Sequence, residues 1–166
     1  MVNILIADDN LTFCKILVNK LTKNKNVRIC KICTNGKEIL NILDTEQIDI
    51  ILLDIIMPEC NGLEVLNYLL KTNKEIYKNS IIVISGEAKF MAQLVDNPLV
   101  FDYVLKGSSY NVIERKLNVL IENKNISAKK AQILNELTTI GYDINYKGTI
   151  YLIEVIIQMY IYNRYD

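Results

Sequence analysis

Residues 3–9 read Asn-Ile-Leu-Ile-Ala-Asp-Asp, a short apolar run that ends abruptly on two carboxylates. A run this short with no polar alternation suits a strand covered on both faces, as in a parallel sheet. Similar runs recur at Val27–Cys33, Ile48–Leu53, Ser80–Ile84 and Val100–Leu105. Helical spacing fills the intervals. Leu11, Cys14, Leu17, Val18 and Leu21 form one stripe, Ile39, Leu40 and Leu43 a shorter one, and Leu63, Leu66, Leu69 and Leu70 a third that opens at Gly62. A weaker stretch from Glu87 to Val95 and a stripe of Tyr110, Ile113, Leu117, Leu120 and Ile121 complete the alternation through Glu122. Five strands alternating with five helices on short connections imply right-handed crossovers and a doubly wound five-stranded parallel sheet, an α/β fold. The ligand crevice of such a sheet lies beyond the carboxyl ends of its strands.

The chain has 166 residues, 51% of them hydrophobic, enough for one full core with a short appendage. Lys plus Arg equals Asp plus Glu at 19 each, so no global field draws it to nucleic acid or an anionic membrane, and function must be local. Four cysteines with no apolar leader point to a reducing cytoplasm rather than an exported disulfide scaffold. Cys30-Lys31-Ile32-Cys33 has a C-x-x-C spacing, but inside a strand that odd spacing sends the side chains to opposite faces, and redox pairs belong at a helix start. Histidine is absent, which removes the commonest general base and metal ligand. Chemistry must run on carboxylates, hydroxyls and lysine.

Those groups collect at the expected crevice. Asp8 and Asp9 follow the first strand, Asp54 the third, Ser85 the fourth and Lys106 the fifth. Singly, an Asp can cap a helix, Ser85 can be a turn residue and Lys106 a solvated lysine; all five at the same edge of one sheet argue for one site. Three converging carboxylates repel one another and are held together best by a hard divalent cation, for which magnesium suits oxygen-only ligands. A metal so held neutralises charge on a phosphoryl group in transfer, and one carboxylate then serves as nucleophile. Lys106 offers a positive charge and Ser85 a hydroxyl to the phosphoryl oxygens.

Ile4-Leu5-Ile6-Ala7-Asp8-Asp9-Asn10 and Leu53-Asp54-Ile55-Ile56-Met57-Pro58-Glu59-Cys60-Asn61-Gly62 resemble the receiver domains of bacterial two-component response regulators over residues 1–122. The resemblance implies a flavodoxin-like receiver fold and makes Asp54 the phosphoacceptor. Asp9, Asp54 and the Ile56 backbone carbonyl become magnesium ligands, with Asp8 helping directly or through water. Ser85 and Lys106 match the family's hydroxyl and lysine, and Tyr103 becomes the switch aromatic that turns inward when Ser85 moves toward the phosphoryl group. A histidine kinase or phosphotransferase is the implied donor, in the cytoplasm, and the chain is a phosphoacceptor with at most slow self-dephosphorylation rather than an enzyme. One departure stands out: the family usually has proline after the lysine, often on a cis bond, and here Gly107 follows Lys106.

The polar stretch Glu122-Asn123-Lys124-Asn125 leads into a helical extension, residues 123–166. Within it Leu134-Asn135-Glu136-Leu137, Ile140-Gly141-Tyr142 and Lys147-Gly148-Thr149-Ile150-Tyr151-Leu152 resemble the opening helices of the DNA-binding domain of the stage-zero sporulation regulator. In that family a helix-turn-helix follows these helices, and this sequence stops at Asp166 without one, so it is either a piece of a longer protein or a naturally short regulator. Residues 127–166 balance Lys129, Lys130, Lys147 and Arg164 against Glu136, Asp143, Glu154 and Asp166, so no independent DNA binding is expected. Ile150, Leu152, Ile153, Val155, Ile156, Ile157, Met159, Tyr160 and Ile161 cover more than one helix face but are interrupted by Glu154 and Gln158, too short to span a bilayer. The tail is expected to dock on the receiver or on a second copy, making a homodimer through the receiver or the C-terminal helices a candidate assembly.

Two other readings compete. A pseudo-receiver would keep the acidic pocket, mis-aimed by Gly107, and work only as an interaction or dimerisation module. A phosphohydrolase of the haloacid-dehalogenase type needs a second acid two residues after the nucleophile, and Ile56 stands there. A flavin or dinucleotide site would want phosphate-cradling amides after the first strand, where Asp8 and Asp9 repel phosphate.

Overall fold

The computed structural model describes residues 1–72, 74 and 77–165. In chain order the elements are β1 Val2–Ala7, α1 Leu11–Leu21, β2 Val27–Cys33, α2 Gly36–Leu43, β3 Ile50–Leu53, α3 Gly62–Lys71, β4 Ile81–Ser85, α4 Met91–Leu94, β5 Val100–Leu105, α5 Tyr110–Thr139 and α6 Lys147–Tyr165. The five strands are all parallel in the order β2-β1-β3-β4-β5. That is the doubly wound, flavodoxin-like order, in which the sequence of strands reverses at β1 and leaves a crevice above β1 and β3.

The apolar runs lack alternation because both faces are covered. On one face Leu5, Ile51, Leu53, Ile81 and Val83 pack with Ile39 and Leu43 of α2 and Val65, Leu66 and Leu69 of α3. Alternation turns Ile6, Leu52 and Ile84 to the other face, where they meet Leu17 of α1. Every residue of β3 and β4 is buried. Burying one such Leu or Ile stabilises the fold by about 1.5–3 kcal/mol.

Three local expectations needed adjustment. The weak helical stretch at 87–95 is a 3-10 turn, Ala88–Phe90, running into a four-residue α4. Its residues other than Leu94 stay at least partly exposed, so little packing drives a longer helix. Glu122–Asn125 does not interrupt helical structure, since α5 runs on to Thr139; Glu and Lys are good helix formers and the two Asn cost only a few tenths of a kcal/mol each, about 0.7 at most. Finally, Cys30 and Cys33 do not diverge to opposite sides of the sheet. The β1–β2 register jumps from Ile4–Ile29 to Leu5–Lys31, leaving Cys30 as the extra residue of a bulge. The bulge resets the alternation, and both cysteines touch the same core cluster. Both thiols are free.

The chain divides into two compact units between Leu117 and Asn118. In the second, α5 closes with a Schellman arrangement in which Tyr142 N donates to Leu137 O and Gly141 N to Thr138 O, each at 3.0 Å. Ile133 and Leu137 of α5 form a small core with Ile153 and Ile157 of α6. Ile156 and Ile161 pack partly against that core, while Tyr151, Val155, Met159 and Tyr162 are exposed along one stripe. Asp166, counted in the charge balance of the tail, lies outside the described residues. No helix among the described residues is long and apolar enough to cross a membrane.

Candidate functional site: an acidic pocket at the carboxyl edge of the sheet

Main-chain hydrogen bonds across the sheet bring the acids together. Asp8 N donates to Cys33 O at 2.9 Å and Asp54 N to Ala7 O at 2.8 Å, so the two residues leave adjacent strands side by side. Asp8 is held further by Asn10 N, which donates to its Oδ1 at 2.9 Å. Asn10 in turn caps α1, its side chain accepting from Phe13 N at 3.0 Å. On the β3 side the chain loops away and returns at α3, where Asn61 and Glu64 form a capping box. Gly62 passes so close that a Cβ there would lie 2.3 Å from the Asp54 carbonyl oxygen. The Asn-Gly that follows the Met-Pro is thus a packing requirement of the loop as well as a helix start.

One carboxylate oxygen from each of Asp8, Asp9 and Asp54 lies within 4.8 Å of the others. Asp8 and Asp54 are buried and Asp9 is exposed. Lys106 Nζ enters the cluster, 2.6 Å from Asp54 Oδ2 and 2.8 Å from Asp8 Oδ2. Burial works to lower the lysine's pKa, but its bonds to Asp54 and Asp8 outweigh that and hold the ammonium above its ordinary value. Burial raises the Asp8 carboxyl despite the help of Lys106. Asp54 Oδ1, in the cluster, and Ser85 Oγ, at the end of β4, are buried without a hydrogen-bond partner among the described residues. A buried polar atom left so is costly unless a ligand or ion meets it. An oxygen-only donor set with an unpartnered, buried carboxylate oxygen fits a hard divalent cation such as Mg2+.

Lys106 N donates to Ser85 O at 2.8 Å, which ties the ends of β4 and β5. Ile56 stands in the loop after Asp54 with its side chain half exposed. Tyr103 is buried, not on the surface, and its hydroxyl donates to Glu87 O at 2.5 Å. Gly107 has φ +100 and no peptide bond among the described residues is cis, so the backbone after Lys106 does not follow the cis-proline pattern. Sequence reading passed over Phe13, whose ring lies under Lys106 Nζ at 5.4 Å from its centroid. Its signal was an aromatic in the first turn after an acid pair, outside the apolar stripe of α1.

A family model for the response regulator receiver domain matches residues 4–118. The chain belongs to this family. As a receiver domain it is 29% identical over 111 residues to the protein-glutamate methylesterase/protein-glutamine glutaminase of Bacillus subtilis (strain 168), a match covering 65% of this chain. The chain spans about 30% of the length of that curated relative. Among solved structures, the response regulator TrrA from Thermotoga maritima in complex with Mg(2+)-BeF is 26% identical, with a TM-score of 0.61 over 72% of this chain and 99% of that one. The Francisella response regulator 1452 receiver domain shares the fold at 23% identity, with a TM-score of 0.64 over 75% of this chain and 99% of that one. The protein is therefore a response regulator receiver of two-component signal transduction.

Proposed function

We propose that this receiver takes a phosphoryl group on Asp54 from a histidine kinase or phosphotransferase and thereby switches its protein contacts. The observation that carries the reading is the pairing of buried Asp54 with Lys106 at 2.6 Å beside Asp8 and Asp9. A buried carboxylate with one oxygen unpartnered is available as a nucleophile. That oxygen attacks phosphorus, the phosphorus–nitrogen bond of the donor phosphohistidine breaks, and the electron pair leaves on the imidazole nitrogen. The product is an acyl phosphate. Asp8, Asp9, Asp54 and the Ile56 carbonyl would hold Mg2+, which would supply charge neutralisation for the incoming phosphate. Lys106 exchanges its carboxylate partner for a phosphoryl oxygen, and the Ser85 hydroxyl donates to another. The Ser85 shift couples to Tyr103, and the surface of α4 and β5 changes with it.

In this reading residues 1–122 are the phosphoacceptor domain and 123–166 a partial effector-like segment without its own DNA binding, acting in the cytoplasm. A link to sporulation-related transcription rests only on the likeness of residues 133–161. The exposed stripe of α6 favours a partner surface there, with a second copy as one candidate, since Val155 and Met159 are more than half exposed.

Incubating the chain with acetyl phosphate and magnesium beside Asp54→Asn tests the reading by intact mass, with light scattering on the same sample. A gain of one phosphoryl group that vanishes in the variant is expected. No gain in the native chain would overturn it in favour of the pseudo-receiver that Gly107 suggests.

A further inference from the structure

We propose that Phe13 is a positioning residue for Lys106, taking over the aiming role that the backbone after this lysine does not perform. The inference rests on the phosphoacceptor reading for its kinetic consequence, but its geometry stands apart from it. Gly107 gives the segment after Lys106 no side chain, and a Cβ built there meets nothing within 4 Å. Lys106 follows β5 into this open turn, at φ +100 for Gly107, so the backbone on that side leaves the four-carbon side chain free to swing. It nevertheless lies against two carboxylates at hydrogen-bonding distance.

The aromatic ring of Phe13 supplies the missing wall. Lys106 Nζ sits over that ring at 5.4 Å from the centroid, within the range where the negative face of an aromatic attracts an ammonium. Phe13 lines a small pocket together with Asp8, Asp54, Leu17, Leu52 and Ile84, so the ring borders the same space as the two acids. Phe13 is itself located by the chemistry of the site. Asn10 N binds Asp8 Oδ1 at 2.9 Å, and the Asn10 side chain caps Phe13 N at 3.0 Å. The linkage closes on itself: Asp8 places Asn10, Asn10 places Phe13, Phe13 faces Lys106, and Lys106 returns to Asp8. A flat ring permits the ammonium to slide from carboxylate to phosphoryl oxygen without losing its contact, which a hydrogen-bonding partner would not allow.

The test compares Phe13→Leu and Phe13→Tyr with the native chain, each also combined with Lys106→Met. In metal-free protein, NMR of the Lys106 ε-methylene is expected to show an upfield ring-current shift that Phe13→Tyr keeps and Phe13→Leu loses. With acetyl phosphate and magnesium, Phe13→Leu is expected to slow the mass gain by about three- to tenfold, and Phe13→Tyr to restore most of the rate. In the Lys106→Met background Phe13→Leu should cause no further loss. An unshifted ε-methylene in the native chain, or a Phe13→Leu loss of the same size with and without the lysine amine, overturns the proposal. If Phe13→Leu does not fold, Phe13→Met replaces it as the non-aromatic variant. A native chain that takes no phosphoryl group would sink the phosphoacceptor reading, while the resonance shift would still decide whether Phe13 holds Lys106.

Discussion

Lys106 and Asp54 stand 52 residues apart in the chain, and their side chains meet at 2.6 Å. The contact spans two parallel strand ends, and it places one positive charge among three carboxylates. Lys106 therefore neutralises part of the pocket's charge from within, and the remaining excess of negative charge shapes several expected behaviours.

Burial holds the Asp8 carboxyl above its ordinary value. A group with a raised folded pKa stabilises the fold when protonated and loses that contribution as pH rises through it, so at neutral pH ionised Asp8 weighs against folding. Asp8→Asn keeps the acceptor for Asn10 N and removes the charge. It is expected to raise the melting temperature of the metal-free chain by about 2–4 °C and to abolish most of the stabilisation by added magnesium. Thermal melts with and without magnesium read both; an unchanged response to magnesium would remove Asp8 from the metal site.

Gly62→Ala forces a Cβ to within 2.3 Å of the Asp54 carbonyl oxygen, against backbone that cannot swing aside. A loss of about 2–4 kcal/mol is expected, and because the displaced backbone carries Asp54, phosphoryl acceptance should fall as well. Urea denaturation measures the first. An alanine variant as stable as the native chain would mean that the loop relaxes freely.

Restoring the family's usual proline at position 107 should not help. Proline fixes φ near −65° and Gly107 sits at +100. Gly107→Pro is expected to lower stability by about 1–3 kcal/mol unless the turn rebuilds around a cis bond. A melting curve identical to native would show that the turn accommodates both forms.

Burial pushes the Cys33 thiol up to about 12 and the Cys14 thiol up to about 11, from an ordinary 9.0. The folded chain keeps protons that the unfolded chain releases, so this contribution is present below pH 9 and lost as pH climbs toward 11–12. The melting temperature should fall steeply over that window, and Cys33→Ala should flatten the slope. Native-state alkylation should label Cys30 and Cys60, which are partly exposed, and spare Cys14 and Cys33. Equal labelling of all four would contradict the burial.

Much of this receiver is legible in its residues because the physics concerned is local. A strand covered on both faces must be apolar throughout, so the runs at 3–7 and 48–53 declare a parallel sheet without any contact being known. Parallel connectivity then puts every strand's carboxyl end on one edge, which is why Asp8, Asp9, Asp54, Ser85 and Lys106 could be assigned to a common edge from position alone. What required the tertiary structure is whatever depends on register, on depth of burial or on neighbours distant in sequence. The bulge at Cys30 shifts strand phase by one residue and brings Cys30 and Cys33 to one core cluster, an outcome no spacing rule contains. The shortness of α4 follows from how little of that stretch is buried, and the polar residues at 122–125 did not mark that α5 runs on to Thr139. The aim of Lys106, left open by the glycine after it, is set by Asp8, Asp54 and the ring of Phe13, side chains from the ends of β1 and β3 and from α1 that only the folded sheet brings within reach of one ammonium.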